Sequence, residues 1–430
     1  MTGVIAAPAV RPVPSGPVDG ALRAPSSKSV TNRALICAAL AAGSSVLHAP
    51  LDSDDSQAMR DCLTALGARI DVAGDRWTVV GTGGEVRTPA APVHARLSGT
   101  TARFVTAVLA LSDGGGVLTG DAPLRRRPIG PLSAALRSVG VAVHDSDGGL
   151  PVRLAGGGIA GGVAEVDVSG SSQFASAVLL AAPYARSDVT CLLRGVSASD
   201  YIALTVALMR RWGAVVDTVP SGWRVHAGVG YAPREETIEY DASAAAHLFA
   251  VAAATGGTVT VSNATPTGQP DAGAVDVFSA LGCDVAVGDG TVTVHGPPTL
   301  SPVDVSLAAM PDQVTTFAAL AALAPGRSVL RDVGVARLHE TDRLAALATE
   351  LGRLGVPVDA QTDRLTIDGG TAQGPARLRT YDDHRLAMAF AAVGLCVDGV
   401  TVADPGCVAK TYPAFWDDLR TLGCNLRALR

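Results

Sequence analysis

The chain has 430 residues, of which 48% are hydrophobic and 17% are charged, and its formal net charge is -6. This length exceeds one ordinary hydrophobic core, so we expect two domains. The acidic balance argues against nucleic acid as a partner, because domains that bind it usually carry a basic face. No apolar run is long enough to span a membrane, which argues against a membrane partner as well.

The seven cysteines are scattered along the chain without a C-x-x-C pair. This pattern predicts reduced thiols in a cytoplasmic protein, with neither a disulfide framework nor a zinc site. Residues 1–18 also lack the charged segment and apolar core of a signal peptide. We therefore expect a cytoplasmic location, and a monomer.

The first distinctive segment is 25–40, where a polar turn with Ser26, Ser27, Lys28 and Ser29 opens a helix that contains Arg33. The unpaired N–H groups and the partial positive charge of a helix N-terminus, with a lysine and an arginine added, make a receptor for anions. The alternative is a serine N-cap beside a solvated lysine.

The use of lysine favours the receptor. Lys28 and Lys410 are the only lysines, and every other basic side chain, histidine aside, is arginine. In such a chain lysine should remain where arginine cannot serve, at positions that need a compact ammonium or one that gives up a proton. Both lysines are therefore predicted to have chemical roles.

The chain contains six copies of a unit with a period of about 70 residues. Each copy has a polar turn, a very apolar helix, a strand, and an amphipathic helix that ends at a glycine before two more strands. The turns open at Ser27, Ser98, Ser171, Asp241, Pro311 and Asp382, and the glycines are Gly67, Gly140, Gly213, Gly282, Gly355 and Gly423. Helices that are apolar all round must be buried, and each glycine is a candidate C-cap.

The predicted fold is therefore α/β, with two domains of three βαβαββ repeats each, in which the apolar helices are central and the sheets lie outside. A charged break at 234–241 divides the copies three and three. We expect one domain at 26–239 and the other at 240–430, completed by a strand from residues 1–25. The helix N-termini would then face one another across a cleft that suits a small anionic substrate.

Three further motifs of the first half open helices or precede them. Gly99-Thr100 with Arg103 is typical of either a phosphate-binding turn or a plain turn. The arginines of 125–127 precede a proline-led helix, as a phosphate clamp or as a solvated loop. Ser171, Ser172 and Gln173 present hydroxyls and an amide, as expected for an anion site without a second cation.

In the second half, acids and bases stand at helix starts. Asp312 precedes a buried helix, and an N-cap is its plainer interpretation. The segments 339–343 (H-E-T-D-R) and 381–385 (Y-D-D-H-R) each combine acid, base and guanidinium, either as salt-bridged caps or as two arginines that grip one carboxylate. No nucleotide-binding fingerprint is present.

Along nearly its whole length the chain resembles the EPSP synthase (3-phosphoshikimate 1-carboxyvinyltransferase) family. The resemblance lies in eight motifs that occur in this order: S-K-S-x-x-N-R, S-G-T-x-x-R, R-P-I-G, S-S-Q-F, P-D, E-T-D-R, D-D-H-R and A-K-T. The family's fold is two inside-out α/β domains of three repeats each. The resemblance implies transfer of the enolpyruvyl group of phosphoenolpyruvate to the 5-hydroxyl of shikimate 3-phosphate, with release of phosphate. It implies no metal and no organic cofactor.

The resemblance also implies roles for individual residues. Shikimate 3-phosphate would be bound by Lys28, Ser29, Arg33, Ser171, Ser172, Gln173, Ser197, Tyr201, Asp312 and His339. Phosphoenolpyruvate would be surrounded by Lys28, Gly99, Arg127, Gln173, Arg343, Arg385 and Lys410. Asp312 would take the proton of the attacking hydroxyl, Glu340 and Lys28 would handle the proton at the methylene carbon, and His384 would support them.

Some positions depart from the family pattern. Ser26 stands where glycine is usual, Leu97 and Val335 stand at or near usual asparagines, and His339 replaces a lysine. The loop 195–201 is one residue short, so that Ser199 competes with Ser197. We expect a partly protonated His339 to help neutralise the acceptor, with weaker acceptor binding above its pKa.

Two other functions stay open at this point. The sister enzyme that uses UDP-N-acetylglucosamine shares the fold, but it usually has Lys-Asn at 28–29 and a cysteine in the loop that corresponds to 112–126. The second open function is that of a catalytically silent paralogue, which only binds phosphorylated metabolites. Glyphosate is expected to compete with phosphoenolpyruvate, because Gly99 leaves room for it.

Overall fold

The computed structural model describes residues 8–195 and 200–429. The chain divides into two compact units, Ser26–Glu239 and the combination of Met1–Pro25 with Tyr240–Arg430. Each unit has its own hydrophobic core. Among the described helices, none has both the length and the apolar character that crossing a membrane requires.

The N-terminal segment contributes two strands to the unit that contains Tyr240–Arg430, β1 (Ala9–Val13) and β2 (Asp19–Leu22). Strand β1 pairs with the last strand of the chain, opposite Asn425–Leu429. Strand β2 pairs with Thr258–Val261 instead, in a different sheet. We expected one strand from this segment, and the structure shows two that complete two sheets.

The helices of the unit Ser26–Glu239 are α1 (Lys28–Leu40), α2 (Asp54–Ala65), α3 (Gly99–Leu109), α4 (Ala122–Arg125), α5 (Gly130–Ser138), α6 (Gln173–Ala181) and α7 (Asp200–Arg211). Its strands are β3 (Ser44–His48), β4 (Arg69–Ala73), β5 (Arg76–Val80), β6 (Val93–His94), β7 (Gly116–Thr119), β8 (Val143–Ser146), β9 (Gly149–Leu154), β10 (Gly162–Asp167), β11 (Val189–Arg194), β12 (Val216–Val219), β13 (Gly222–Val225) and β14 (Glu235–Thr237). These strands form three four-stranded sheets, with the orders β14-β3-β5-β4, β6-β7-β9-β8 and β10-β11-β13-β12.

The helices of the other unit are α8 (Ala242–Thr255), α9 (Ala274–Ala280), α10 (Val314–Leu323), α11 (Arg343–Gly352), α12 (His384–Gly394) and α13 (Phe415–Thr421). Its remaining strands are β15 (Thr258–Val261), β16 (Asp284–Gly288), β17 (Thr291–His295), β18 (Asp304–Ser306), β19 (Gly326–Arg331), β20 (Val358–Ala360), β21 (Arg364–Gly369), β22 (Ala376–Leu378), β23 (Val400–Ala403) and β24 (Asn425–Leu429). Together with β1 and β2 they form three more four-stranded sheets, with the orders β2-β15-β17-β16, β18-β19-β21-β20 and β22-β23-β1-β24.

The apolar helices form the centre of each unit, as predicted. Helices α3 and α12 are buried along their whole length. Helices α1, α3 and α6 contact one another in one unit, and α8, α10 and α12 do so in the other. The six glycines after the amphipathic helices all have positive φ, from 77° at Gly355 to 110° at Gly67. This left-handed conformation confirms them as helix ends, because glycine adopts it without steric cost.

One close contact generates a stability prediction. A Cβ atom on Gly369, at the end of β21, would lie 1.9 Å from the carbonyl oxygen of Ala321 in α10. We expect Gly369→Ala to lower the free energy of unfolding by about 1–3 kcal/mol or more, because the helix and the sheet must separate.

Gly352→Ala is the matched control, since Gly352 is the last residue of α11 and a Cβ there meets nothing within 4 Å. It should stabilise the protein by roughly 0.5–1 kcal/mol, because alanine favours the helix. Both variants are compared by urea unfolding, and equal midpoints would contradict the prediction.

Candidate active site

In the unit Ser26–Glu239, Lys28 is held at the start of α1. Ser27 caps this helix by accepting a hydrogen bond from the backbone N–H of Val30 at 3.3 Å. The Nζ atom of Lys28 lies 3.5 Å from Oδ2 of Asp55, and the two side chains are 15% and 3% exposed. Lys28 is thus held against a buried carboxylate, unlike the solvated lysine of the alternative interpretation.

Arg33 joins the first turns of α1 and α7. Its Nε donates to Oγ1 of Thr205 at 2.7 Å, and Nη1 donates to the carbonyl oxygen of Ser29 at 2.9 Å. Its guanidinium also lies over the rings of Phe104 and Tyr201, 5.2 and 6.0 Å from their centroids. Burial lowers the pKa of Arg33 to about 10, so the group stays charged at neutral pH. Ser29, Arg33 and Tyr201 are thereby brought together.

Gln173 connects the starts of α3 and α6. Its Oε1 accepts from Nη1 of Arg103 at 2.6 Å, and its Nε2 donates to Oγ1 of Thr100 at 3.2 Å. The backbone N–H of Gln173 donates to Oγ of Ser171 at 3.2 Å. Ser171 and Ser172 are half-buried at this helix start, and Ser172 makes no side-chain cap bond.

Arg127 lies at the start of α3, directly over Gly99. A Cβ atom on Gly99 would lie 2.7 Å from Nη1 and 3.0 Å from Cζ of Arg127. Arg125 and Arg126 are exposed, and Nε of Arg125 donates to the carbonyl oxygen of Gly120. A clamp made by all three arginines is therefore not seen, and Arg127 alone is packed at this helix start. Ser197 and Ser199 lie outside the described residues.

In the other unit, Arg343 is the centre of a buried ion cluster. Its Nε and Nη2 donate to both carboxylate oxygens of Asp383, at 2.7 and 3.2 Å. Its Nη1 donates to Oδ1 of Asp312 at 2.6 Å, and Nη2 also donates to Oε2 of Glu340 at 2.9 Å. Burial alone would lower the pKa of Arg343, but these three carboxylates hold it above its usual range.

Asp312 lies in a short 3₁₀ helix, Pro311–Gln313, before α10. The N-cap of α10 is Gln313, which makes no side-chain cap bond, so Asp312 is not the N-cap that its position predicts. Nη2 of Arg385 lies 3.2 Å from Oδ2 of Asp312. Burial would raise the pKa of Asp312, but Arg385, His339 and Arg343 hold it well below its usual range. Asp312 is therefore a carboxylate at neutral pH.

Glu340 lies between two cations. Its Oε1 accepts from Nζ of Lys410 at 2.8 Å, and its Oε2 accepts from Arg343. Lys410 is 9% exposed along its side chain, so this pair is largely excluded from water. Both lysines of the chain are thus held against carboxylates.

The two predicted histidines differ in their surroundings. His384 is the first residue of α12 and is buried, with Nδ1 3.9 Å from Oδ1 of Asp383, which caps the same helix. Nδ1 of His339 lies 3.0 Å from Oδ1 of Asp312. Burial, more than any other factor, lowers the pKa of His339 below 6.5. The expected partly protonated His339 is therefore not supported at neutral pH.

Within the described residues, no group of His, Cys, Asp or Glu side chains is arranged to hold a metal ion.

Several partners in these clusters were not among the residues predicted to bind substrate or to act in catalysis. Arg103 and Asp383 fall inside the quoted motifs S-G-T-x-x-R and D-D-H-R, which was a usable signal. Asp55 belongs to an acidic run at a helix start, where an N-terminal capping role is the simpler interpretation. Thr205 lies inside α7 and carried no signal.

The Arg343 cluster generates a second stability prediction. Asp383→Asn keeps an oxygen that can cap α12 but removes a buried negative charge from Arg343. We expect the free energy of unfolding to fall by about 3–5 kcal/mol, the usual cost of breaking a buried ion pair. Asp368→Asn is the control, because Asp368 pairs with Arg327 on the surface and its loss should have little effect. Equal urea midpoints for the two variants would contradict this.

Comparison with known proteins places the chain in a family. A family model described as EPSP synthase (3-phosphoshikimate 1-carboxyvinyltransferase) matches residues 12–419. A 3-phosphoshikimate 1-carboxyvinyltransferase of Methanoculleus marisnigri is 40% identical over 418 residues, which cover 95% of this chain and 98% of the relative. One from Nostoc punctiforme is 39% identical over 412 residues, covering 94% and 96%. The fold is similar to that of EPSP synthase from Acinetobacter baumannii, with a TM-score of 0.83 at 23% identity over 98% of this chain and 100% of that one. The chain therefore belongs to the EPSP synthase family.

Proposed function

We propose that the chain transfers the enolpyruvyl group of phosphoenolpyruvate to the 5-hydroxyl of shikimate 3-phosphate and releases phosphate. The relatives of near-equal length carry the name of this activity. The observation that carries the proposal for this chain is the buried cluster of Asp312, Glu340, Arg343, Arg385 and Lys410. It combines cations for anionic substrates with carboxylates that can exchange protons.

The acceptor is assigned mainly to the unit Ser26–Glu239. We propose that its carboxylate is bound near Ser29 and Arg33. Arg33 is held by Thr205 and by the Tyr201 ring, and it donates to the carbonyl oxygen of Ser29. Its phosphate and ring would be bound by Ser171, Ser172, Gln173 and Lys28, together with Ser197 from outside the described residues. A cluster of hydroxyls, an amide and helix N–H groups is a suitable site for a phosphate.

Phosphoenolpyruvate is assigned to Lys28, Gly99, Arg127, Gln173, Arg343, Arg385 and Lys410. The bare backbone at Gly99 and the guanidinium above it offer a close approach to a phosphate. Arg343 already donates to three protein carboxylates. Arg343 can therefore donate directly to a substrate carboxylate only if one of its N–H groups first leaves Asp312 or Glu340.

The reaction needs proton exchange at two atoms. The acceptor hydroxyl loses a proton as its oxygen attacks C2 of phosphoenolpyruvate, and C3 gains one. We assign the first exchange to Asp312, and the second to Glu340 and Lys28. The tetrahedral intermediate keeps a carboxylate and a phosphate, so fixed guanidinium and ammonium groups lower its energy without rearrangement. His384, at the N-terminus of α12, supports the Asp383 end of the cluster.

The location and the assembly state are part of the proposal. The seven cysteines are free thiols, as suits a reducing compartment. We propose a cytoplasmic monomer with the two units as its domains.

The assay that tests the function measures phosphate release from phosphoenolpyruvate with each acceptor. We expect release with shikimate 3-phosphate and none with UDP-N-acetylglucosamine. Release with the sugar nucleotide alone would assign the chain to the sister activity. No release with either acceptor, from protein that still binds phosphoenolpyruvate, would indicate a silent paralogue.

Gly99 provides a prediction for inhibitor binding. In Gly99→Ala the new methyl group displaces the Arg127 guanidinium, which is the far end of a flexible side chain, so the protein should lose little stability while the guanidinium leaves its place beside the phosphate. We expect the KM for phosphoenolpyruvate and the inhibition constant of glyphosate to rise by about tenfold or more, since tenfold corresponds to 1.4 kcal/mol.

The matched control is Gly130→Ala at the start of α5, where a Cβ would be no closer than 3.4 Å to another atom. It should leave both constants near the wild-type values. A wild-type enzyme that millimolar glyphosate does not inhibit would reject the expected competition.

A further inference from the structure

The turn that leads into α12 has an unusual backbone. The carbonyl oxygen of Thr380 accepts from the N–H of Asp383 at 2.8 Å, which closes a four-residue turn. The two central residues, Tyr381 and Asp382, have φ of 54° and 58°. Positive φ at both central positions is the mark of a type I′ turn, which asparagine and glycine favour. A bulky residue such as tyrosine adopts this conformation at a steric cost, so contacts from outside the turn must stabilise it.

Glu350, near the C-terminal end of α11, provides such contacts. Its side chain is fully buried, and Nε of Arg353 lies 3.0 Å from Oε2. Oε1 accepts from the hydroxyl of Tyr381 at 2.6 Å, and Oε2 accepts from the backbone N–H of Arg379 at 3.0 Å. Burial, together with the bond to Glu350, raises the pKa of Tyr381 to about 12, so the hydroxyl is a neutral donor at neutral pH. One buried carboxylate therefore holds both the turn and the residue before it.

The residues directly after the turn belong to the candidate active site. The two oxygens of Asp383 accept from Arg343 at 2.7 and 3.2 Å, and Oδ1 also accepts from the backbone N–H of Arg385 at 2.9 Å. Nη2 of Arg385 lies 3.2 Å from Oδ2 of Asp312. The positions of the Asp383 and Arg385 side chains therefore depend on the conformation of the turn.

Helix α11 binds this segment at two places. Its first residue, Arg343, binds Asp383, and Glu350, seven residues later, binds the turn. Residues seven apart lie two helical turns apart on nearly the same face. The spacing between the two attachments is therefore set by the helix. Without Glu350 the segment keeps its attachment at Asp383 but loses the one that holds the turn.

We propose that Glu350 is a positioning residue for phosphoenolpyruvate binding. It holds the turn 380–383 in its sterically disfavoured conformation, and the turn in turn places the guanidinium of Arg385. This inference rests on the proposed function, in which Arg385 binds phosphoenolpyruvate. The acceptor is assigned mainly to the other unit, so the loss of Glu350 should weaken the binding of phosphoenolpyruvate more than that of the acceptor.

The test measures the KM for each substrate in three variants. Tyr381→Phe removes the hydroxyl that Glu350 holds but keeps the ring, and the KM for phosphoenolpyruvate should rise about two- to tenfold, the equivalent of one hydrogen bond. Glu350→Ala removes both acceptor oxygens, so this KM should rise about tenfold or more. The double variant should be no worse than Glu350→Ala, because changes that remove the same interaction are not additive. The KM for the acceptor should stay near the wild-type value in all three.

Two controls separate positioning from stability. Tyr231→Phe removes another tyrosine hydroxyl, which donates to the carbonyl oxygen of Leu180 at 2.8 Å, at the end of α6 opposite to Gln173. It should lower the urea midpoint but leave the KM for phosphoenolpyruvate unchanged. Glu350→Gln is the conservative variant, since its amide can accept from the Arg379 N–H and donate to the Tyr381 hydroxyl. It should restore most of the affinity for phosphoenolpyruvate that Glu350→Ala loses.

The failures are distinguishable. A wild type that releases no phosphate with shikimate 3-phosphate refutes the proposed function. An active wild type whose Tyr381→Phe variant keeps the KM for phosphoenolpyruvate overturns the role of Glu350. Tyr381 is 37% exposed and its ring is retained, so this result does not depend on whether Glu350→Ala folds. The role is equally overturned if the KM values for both substrates rise together, if the effects at Tyr381 and Glu350 add, or if Tyr231→Phe raises the KM for phosphoenolpyruvate as much as Tyr381→Phe does.

Discussion

The guanidinium of Arg343 can lie in the protein interior only because carboxylates surround it. An unpaired buried charge costs several kcal/mol, and here Asp383, Asp312 and Glu340 each accept from it. These partners come from three parts of the chain, so the requirement to satisfy one cation fixes the start of α12, the entry to α10 and the segment before α11. Lys410 and His339 are in turn fixed by Glu340 and Asp312. The chemistry proposed for this unit depends on that arrangement.

In the unit Ser26–Glu239 the side chains at the helix starts are held mainly by hydrogen bonds. Its helix starts are joined by hydrogen bonds through an amide and hydroxyls, with Gln173 between Arg103 and Thr100, and with Thr205 on Arg33. Donors outnumber carboxylates at these helix starts, as suits a site for anions. The ion pair of Lys28 with Asp55 is the exception. It parallels the pair of Lys410 with Glu340, so that the scarce lysines of this chain share one environment, a compact ammonium held against a shielded carboxylate.

The repeat explains why the functional groups lie at helix starts. Each buried helix enters the centre of its unit from a polar turn, and each is covered by a four-stranded sheet. Contacts as close as the one at Gly369 bring the sheet against the helix C-terminus. The polar end of each helix is thereby left as the place where hydroxyls, carboxylates and cations gather. The fold itself does not specify the reaction, since function depends on the side chains placed at these positions.

The sequence by itself determined the six-repeat α/β fold, the buried helices, the glycines that end the amphipathic helices and the motifs of the candidate site. These features are local or periodic, so apolar spacing, turn residues and the scarcity of lysine are enough to reveal them. Only the tertiary structure decided which groups meet: Asp55 with Lys28, Asp383 with Arg343, Arg127 over Gly99, and His339 with Asp312. It also decided that β1 and β2 complete different sheets. Most of these partners are distant in the chain, and which of many similar carboxylates meets a given cation depends on packing that no local pattern encodes.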